Sequence, residues 1–181
     1  MELKPSSYVV LGMLNVGART GYEVKRLVDI SARFFWTISP VQIYPELKRL
    51  ESAGLVTGRE DDRGATRRRR VELTDTGRAA LREWLRAEEE PSVEWRDVGL
   101  LKLFFADALE PEEALDRLRA LAERSARLGE LFREEIVPTA HAAAARTGGR
   151  YPELAAEFGR DFNEWVTEWC ARKEGELRGS A

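Results

Sequence analysis

The sequence predicts a mainly α-helical protein, with an N-terminal winged helix-turn-helix followed by a C-terminal helical domain. Apolar residues recur at three- and four-residue intervals along most of the 181 residues, a spacing typical of amphipathic helices. Three short helices precede two segments with strand character, residues 55–60 and 66–73, and this order is that of a winged helix-turn-helix. An acidic run over residues 88–92 separates the halves, so we expect two domains, residues 1–90 and 91–181.

The first two helices are short and have recognisable ends. Pro5 opens the first helix, which ends at Gly17. Thr20 is a favourable N-cap for the second helix, and Glu23 completes a capping box with it. Tight turns on both sides of the second helix are expected in a helix-turn-helix scaffold.

The third helix has both of its ends marked in the sequence. Ser39 is a favourable N-cap, Pro40 suits the first helical position, and Gln42 can complete a capping box. Gly54 supplies the left-handed residue that commonly ends a helix. Pro45 lacks an N–H group, so we expect a bend or a 3₁₀ turn beside it.

One face of the third helix is apolar and the rest is suited to DNA. Ile43, Leu47 and Leu50 are spaced by four and three residues, and we assign them to the core. The remaining side chains can contact bases or phosphates, and the predicted DNA contacts are Ser39, Gln42, Tyr44, Lys48 and Arg49. Two alternatives stay open, because Gln42 could serve the cap alone and Tyr44 could pack against the first helices.

The second strand of the predicted wing is strongly basic. It contains four consecutive arginines, Arg67, Arg68, Arg69 and Arg70. Alternate residues of a strand face opposite sides, so Arg68 and Arg70 share one face and the other two share the second face. We expect one pair to contact the DNA backbone or the minor groove. The alternative is pairing with the acidic residues of the hairpin, Glu60, Asp61 and Asp62.

The chain beyond the predicted wing is almost wholly helical in pattern. Thr74 caps a fourth helix that runs to Leu85, before the acidic run. Residues 98–105 form a short apolar helix, and a longer helix starts at Glu110. We expect Pro138 to break this longer helix.

The last predicted helix, residues 152–177, carries an apolar stripe that must be covered. The stripe consists of Leu154, Phe158, Phe162, Trp165 and Trp169. A helical domain this small has a limited core of its own, so we expect the stripe to form a dimer interface. The alternative is an effector pocket for a planar hydrophobic ligand, lined by Trp95, Trp165 and Trp169.

Composition restricts the class of protein. The net charge is −3, but residues 1–78 carry 14 Lys and Arg against 10 Asp and Glu, whereas the rest of the chain carries 15 against 22. Positive charge is therefore concentrated where the helix-turn-helix is predicted. One histidine, His141, and one cysteine, Cys170, give no metal-ligand spacing and no disulfide. We expect no metal, no cofactor, no catalytic residues and no membrane segment, in a cytoplasmic protein.

Five short motifs carry a family resemblance. They are Leu11-Gly12-Met13-Leu14, Thr20-Gly21-Tyr22-Glu23, Ser39-Pro40-x-Gln42-Ile43-Tyr44-Pro45-x-Leu47, Leu50-Glu51-x-x-Gly54-Leu55-Val56 and Leu73-Thr74-x-x-Gly77. With these motifs, residues 8–85 resemble the winged helix-turn-helix of the PadR family of bacterial transcriptional regulators. Val71 stands where that family often has an aromatic residue. Residues 92–181 resemble the longer helical C-terminal domain of one branch of the family.

The resemblance implies a regulator that binds DNA. We expect residues 1–90 to bind double-stranded DNA and residues 91–181 to form a homodimer, so that the operator consists of two half-sites related by a two-fold axis. Repression is the expected sign of regulation, with release by a small hydrophobic or aromatic effector. The alternative is a ligand-sensing or protein-interaction module that has lost DNA binding.

Overall fold

The computed structural model describes residues 3–36, 38–61, 68–88 and 96–179, without the side chains of Pro40, Asp61, Arg68 and Thr147. The chain divides into two compact units, Met1–Pro91 and Ser92–Ala181. The elements of the first unit, in chain order, are α1 (Pro5–Asn15), α2 (Gly21–Asp29), a 3₁₀ turn (Ala32–Phe34), α3 (Pro40–Ser52), β1 (Val56–Asp61), β2 (Arg68–Leu73) and α4 (Asp75–Arg86).

Helix α3 begins and ends where the sequence predicts. Ser39 caps it, and Gln42 closes the capping box. Gly54 has a φ of 71°, which confirms its left-handed conformation after the helix. The 3₁₀ turn expected beside Pro45 is not formed, because residues 40–52 are α-helical throughout and Pro45 lies inside the helix.

Strands β1 and β2 form the antiparallel wing. Their register pairs Val56 with Leu73 and Gly58 with Val71, so these residues share the inner face. Val56, Val71 and Leu73 are buried. They join a single core to which every helix of the first unit contributes, and its members are Val10, Leu11, Leu14, Ala18, Val24, Val28, Ile38, Ile43, Leu47, Leu50, Leu55, Val56, Val71, Leu73 and Leu81. This core fixes the wing against the three-helix scaffold.

Over its described residues, 96–179, the second unit contains four helices and two short turns. They are α5 (Val98–Phe104), a 3₁₀ turn (Ala106–Ala108), α6 (Pro111–Leu131), a π-helical turn (Phe132–Ile136), α7 (Val137–Thr147) and α8 (Tyr151–Gly179). Asp97 caps α5 and is held by Arg124 of α6, with Nη1–Oδ1 at 2.8 Å and Nη2–Oδ2 at 2.5 Å. The hydrogen bond from Arg124 is the main reason that the pKa of Asp97 lies below its usual value.

The prediction that Pro138 breaks the long helix is wrong. Residues 132–136 are π-helical, and the Val137 N–H donates to the Phe132 carbonyl, five residues earlier. Pro138 is then the second residue of α7, where its missing N–H is tolerated. The wider turn absorbs the proline, so the chain continues as a helix instead of stopping.

Helix α8 packs along α6 through a narrow line of buried residues. Val166 and Cys170 of α8 meet Leu118 and Leu121 of α6 in the core. The Phe132 ring lies directly against the backbone of α8 at Gly159, where an added Cβ would be only 2.4 Å from the ring. A residue with a side chain would not leave room for this contact. The buried face of α8 is therefore distinct from most of the stripe predicted to form a dimer.

Candidate nucleic-acid interface

Helix α3 presents an exposed ridge opposite its buried stripe. Val41 and Tyr44 are 81% and 61% exposed, and Pro45 and Lys48 are exposed as well. These four positions recur at three- and four-residue intervals, so they lie on one face of the helix. Val41 is absent from the sequence-based site, although its spacing to Tyr44 and Lys48 is the signal that would have found it.

The N-terminal cap of α3 uses the side-chain oxygen of Gln42. Its Oε1 accepts the Ser39 N–H at 2.9 Å, and the Ser39 Oγ accepts the Val41 N–H at 3.3 Å. A bidentate contact to adenine requires both the oxygen and the nitrogen of the amide. Gln42 must therefore share or give up its cap bond to read adenine in that way.

Tyr44 packs against α2 and is exposed as well. Its ring lies against Gly21, the first residue of α2, where an added Cβ would be 2.6 Å from the Tyr44 Cε1. The side chain nevertheless keeps 61% of its surface exposed. The contact with Gly21 limits where the ring can lie, while its exposed surface remains available to a partner.

Arg49 faces the scaffold instead of the exposed ridge. Its guanidinium donates to the Ser7 Oγ of α1 at 2.5 Å and to the Glu46 Oε1 at 2.8 Å. Ser7 is fully buried. Burial raises the pKa of Glu46, but hydrogen bonds from Arg49 and Ser7 outweigh burial, so that the net shift is downward. The arrangement connects α3 to α1.

This connection predicts an acid-sensitive contribution to stability. A carboxyl whose pKa is lowered by folding stabilises the protein above its unfolded pKa, near 4.5, and loses that contribution as the pH falls through its folded pKa. As the pH falls from about 6 to about 3, the free energy of unfolding should decrease more in the wild type than in E46Q. The difference between the two proteins should be on the order of 1 kcal/mol if folding lowers the pKa of Glu46 by about one. Urea titrations at each pH measure this difference, and parallel pH profiles would contradict it.

The structure separates the wing arginines. Arg70 is exposed on the outer face of β2, opposite Arg59 of β1, which is exposed too. Arg69 lies on the inner face and contacts both carboxylate oxygens of Glu51 at 2.6 Å. Arg68 belongs to the strand, and Arg67 lies outside the described residues. Arg59 was missed by sequence reasoning. A turn directly between the predicted strands 55–60 and 66–73 would place it opposite Arg67, whereas the observed register places it opposite Arg70.

The aromatic stripe of α8 is largely uncovered by its own chain. Leu154, Phe158 and Trp165 are 51%, 72% and 55% exposed, whereas Phe162 and Trp169 are partly buried against the core. Neighbouring rings follow each other at centroid distances of 6.3 Å for Phe158–Phe162 and 6.4 Å for the next two pairs. The stripe is a continuous aromatic surface along one side of the helix.

Three further predictions concern the effector pocket, metal binding and membrane helices. Trp95 lies outside the described residues, so of the proposed pocket only Trp165 and Trp169 are placed. Within residues 3–36, 38–61, 68–88 and 96–179, no group of three or more His, Cys, Asp or Glu side chains is arranged to hold a metal. None of the described helices has the length and apolar character needed to cross a membrane.

Known structures share this fold over nearly the whole chain. The crystal structure of Bacillus subtilis PadR in complex with operator DNA matches with a TM-score of 0.83 at 22% identity, covering 98% of this chain and 99% of that one. The structure of the same protein in complex with p-coumaric acid matches with a TM-score of 0.74 at 21% identity, covering 95% and 98%. At these identities the likeness establishes the fold.

Sequence comparison establishes the family. Residues 10–83 match the model of the transcriptional regulator PadR-like family, and residues 95–178 match that of the virulence activator alpha C-terminal domain. The negative transcriptional regulator PadR of Bacillus subtilis (strain 168) is 32% identical over 126 residues, which are 68% of this chain and 69% of that protein. The chain therefore belongs to the PadR-like family of transcriptional regulators.

Proposed function

We propose that this protein binds operator DNA as a homodimer and represses transcription. The observation that carries the proposal is the exposed ridge of α3, with Tyr44 and Lys48, in the same unit as the exposed arginines Arg59 and Arg70 of the wing. A helix ridge of this kind fits the major groove, while arginines attract phosphates or enter the minor groove. PadR of Bacillus subtilis, which was solved with operator DNA and is named a negative transcriptional regulator, supports the same function.

The proposal includes a two-fold related operator. Two copies joined through the exposed aromatic stripe of α8 would present two recognition helices, and symmetric half-sites follow from that symmetry. It also includes release by a small planar, hydrophobic effector near Trp165 and Trp169, which is supported by the relative solved with p-coumaric acid. As a regulator of this kind, the protein would act in the cytoplasm without catalysing a reaction.

Binding should depend steeply on salt, and the outer face of the wing should supply part of that dependence. We expect R59A/R70A to bind selected operator fragments more weakly at every sequence, because phosphate contacts carry little base information. The magnitude of the slope of log K against log salt should fall by about 0.9 for each phosphate that the wing no longer neutralises. Fluorescence anisotropy over a salt series measures both quantities.

The control is R146A, which removes an exposed arginine of α7 in the other unit. It should leave the slope unchanged. An unchanged slope in R59A/R70A would remove the wing from the interface. Failure of the wild type to select any DNA would favour a ligand-sensing or protein-interaction module.

A further inference from the structure

One ion pair connects the recognition helix to the wing. Glu51 lies in the last turn of α3, and Arg69 lies on the inner face of β2. The Arg69 Nη2 is 2.6 Å from both carboxylate oxygens of Glu51, and the Glu51 Oε1 also accepts the Gly58 N–H of β1 at 3.0 Å. A single carboxylate thus joins α3 to both strands.

Each strand of the wing also has a backbone N–H that binds an element outside the hairpin. Gly58 and Val71 are register partners, but the Gly58 N–H donates to Glu51 and the Val71 N–H donates to the Arg19 carbonyl at 2.7 Å. Neither hydrogen bond goes to the other strand. Edge N–H groups can pair with elements outside the hairpin, so β1 is attached to α3 and β2 to the loop before α2.

Space for the ion pair depends on Gly58. A Cβ at this position would lie 2.6 Å from the Arg69 Nε and 2.7 Å from the Glu51 Oε1. Only a residue without a side chain therefore lets the carboxylate and the guanidinium meet over the inner face of β1. Glu51, Gly58 and Arg69 therefore meet at one contact, although Glu51 and Arg69 are 18 positions apart in the chain.

We propose that Glu51, Gly58 and Arg69 are positioning residues, which fix the direction of the wing relative to the recognition helix and so decide which phosphates the wing reaches. This inference rests on the proposed DNA-binding function. The ion pair is partly exposed, with Arg69 52% and Glu51 30% accessible. Its contribution to the stability of the fold is therefore small, and its effect falls mainly on the geometry of binding.

The charge-removing variant E51Q distinguishes positioning from simple attraction. Loss of a negative charge beside the wing makes the protein more positive, so attraction to phosphate alone predicts tighter binding. Positioning predicts the opposite sign, so we expect E51Q to bind operator at least about fivefold more weakly. The magnitude of the slope of log K against log salt should fall by about 0.9 for each phosphate that the wing no longer reaches. The matched control is E72Q, which removes an exposed carboxylate from the outer face of β2 and should not weaken binding.

The variant G58A tests the same point without changing charge. The added Cβ displaces only the ends of two flexible side chains, so the fold should be retained, as circular dichroism and urea unfolding would show. We expect G58A to weaken binding and to reduce the magnitude of the salt slope, as E51Q does. R69K, which keeps a cation for Glu51, should stay closer to wild type than R69Q.

Each result bears on the proposal. Binding by folded G58A and E51Q that equals or exceeds that of the wild type would overturn the positioning role while leaving the DNA-binding function intact. Absence of any DNA binding by the wild type would overturn the proposed function itself. If E51Q fails to fold, G58A decides the matter alone.

Discussion

Replacement of Gly77 with alanine is expected to destabilise the first unit by at least about 3 kcal/mol, because the new methyl group has no room. A Cβ at this position would lie 2.0 Å from the Leu55 carbonyl oxygen and 2.9 Å from its carbonyl carbon. These are backbone atoms, and the same oxygen accepts the Thr74 N–H at 3.1 Å. Neither side can withdraw without breaking the junction between β1 and α4.

Thr74 makes this junction tighter still. Its Oγ1 donates to the Gly54 carbonyl at 2.7 Å and accepts the Gly77 N–H at 3.0 Å, capping α4. The Leu-Thr-x-x-Gly motif therefore has a physical explanation, in which threonine joins the two backbones and glycine allows them to touch. Loss of this junction would also displace the wing, so DNA binding should fall together with stability.

Urea unfolding of the full-length chain measures the effect of G77A. The matched control is G12A, since a Cβ added to Gly12 of α1 would meet no atom of the described residues within 4 Å beyond its own stretch of helix. Alanine is the better helix former, so G12A should be stabilising by about 0.5–1 kcal/mol. A G77A variant as stable as the wild type would contradict the steric explanation.

The second large effect is expected from the aromatic stripe of α8. We expect F158E/W165E to sediment as a monomer at concentrations where the wild type is a dimer, because two carboxylates would be buried without partners in the proposed interface. Loss of the linked second half-site should weaken operator binding by about 100-fold or more. Both residues are more than half exposed in the single chain, so the substitutions leave its own core intact.

Point variants are better suited to this test than removal of α8. That helix contributes Ala156, Val166 and Cys170 to the buried core of the second unit, so truncation would unfold what it is meant to separate. The control is L85E, which changes a leucine of α4 that is 67% exposed in the other unit. A variant F158E/W165E that still sediments as a dimer would place the interface elsewhere.

Local signals in the sequence predicted the winged domain well. The caps at Ser39 and Thr74 and the left-handed glycine at position 54 involve residues a few positions apart, so their chemistry can be recognised in the chain itself. The family and the mainly α-helical fold with a two-stranded wing are likewise confirmed. Pro138 misled because a π-helical turn, which no sequence rule anticipates, accommodates it.

The sequence by itself determined most of the helices and strands and where positive charge is concentrated, because these follow from local spacing, capping and composition. Only the tertiary structure decided how individual charges are used. Arg49 and Arg69 belong to the predicted DNA contacts by residue type, yet both bind partners within the first unit. Glu46 and Ser7 bind Arg49, and Glu51 binds Arg69. Arg59, which was not predicted, is exposed opposite Arg70. Such pairings join residues up to 42 positions apart, so the physical reason they escape the sequence is that they depend on how the elements pack.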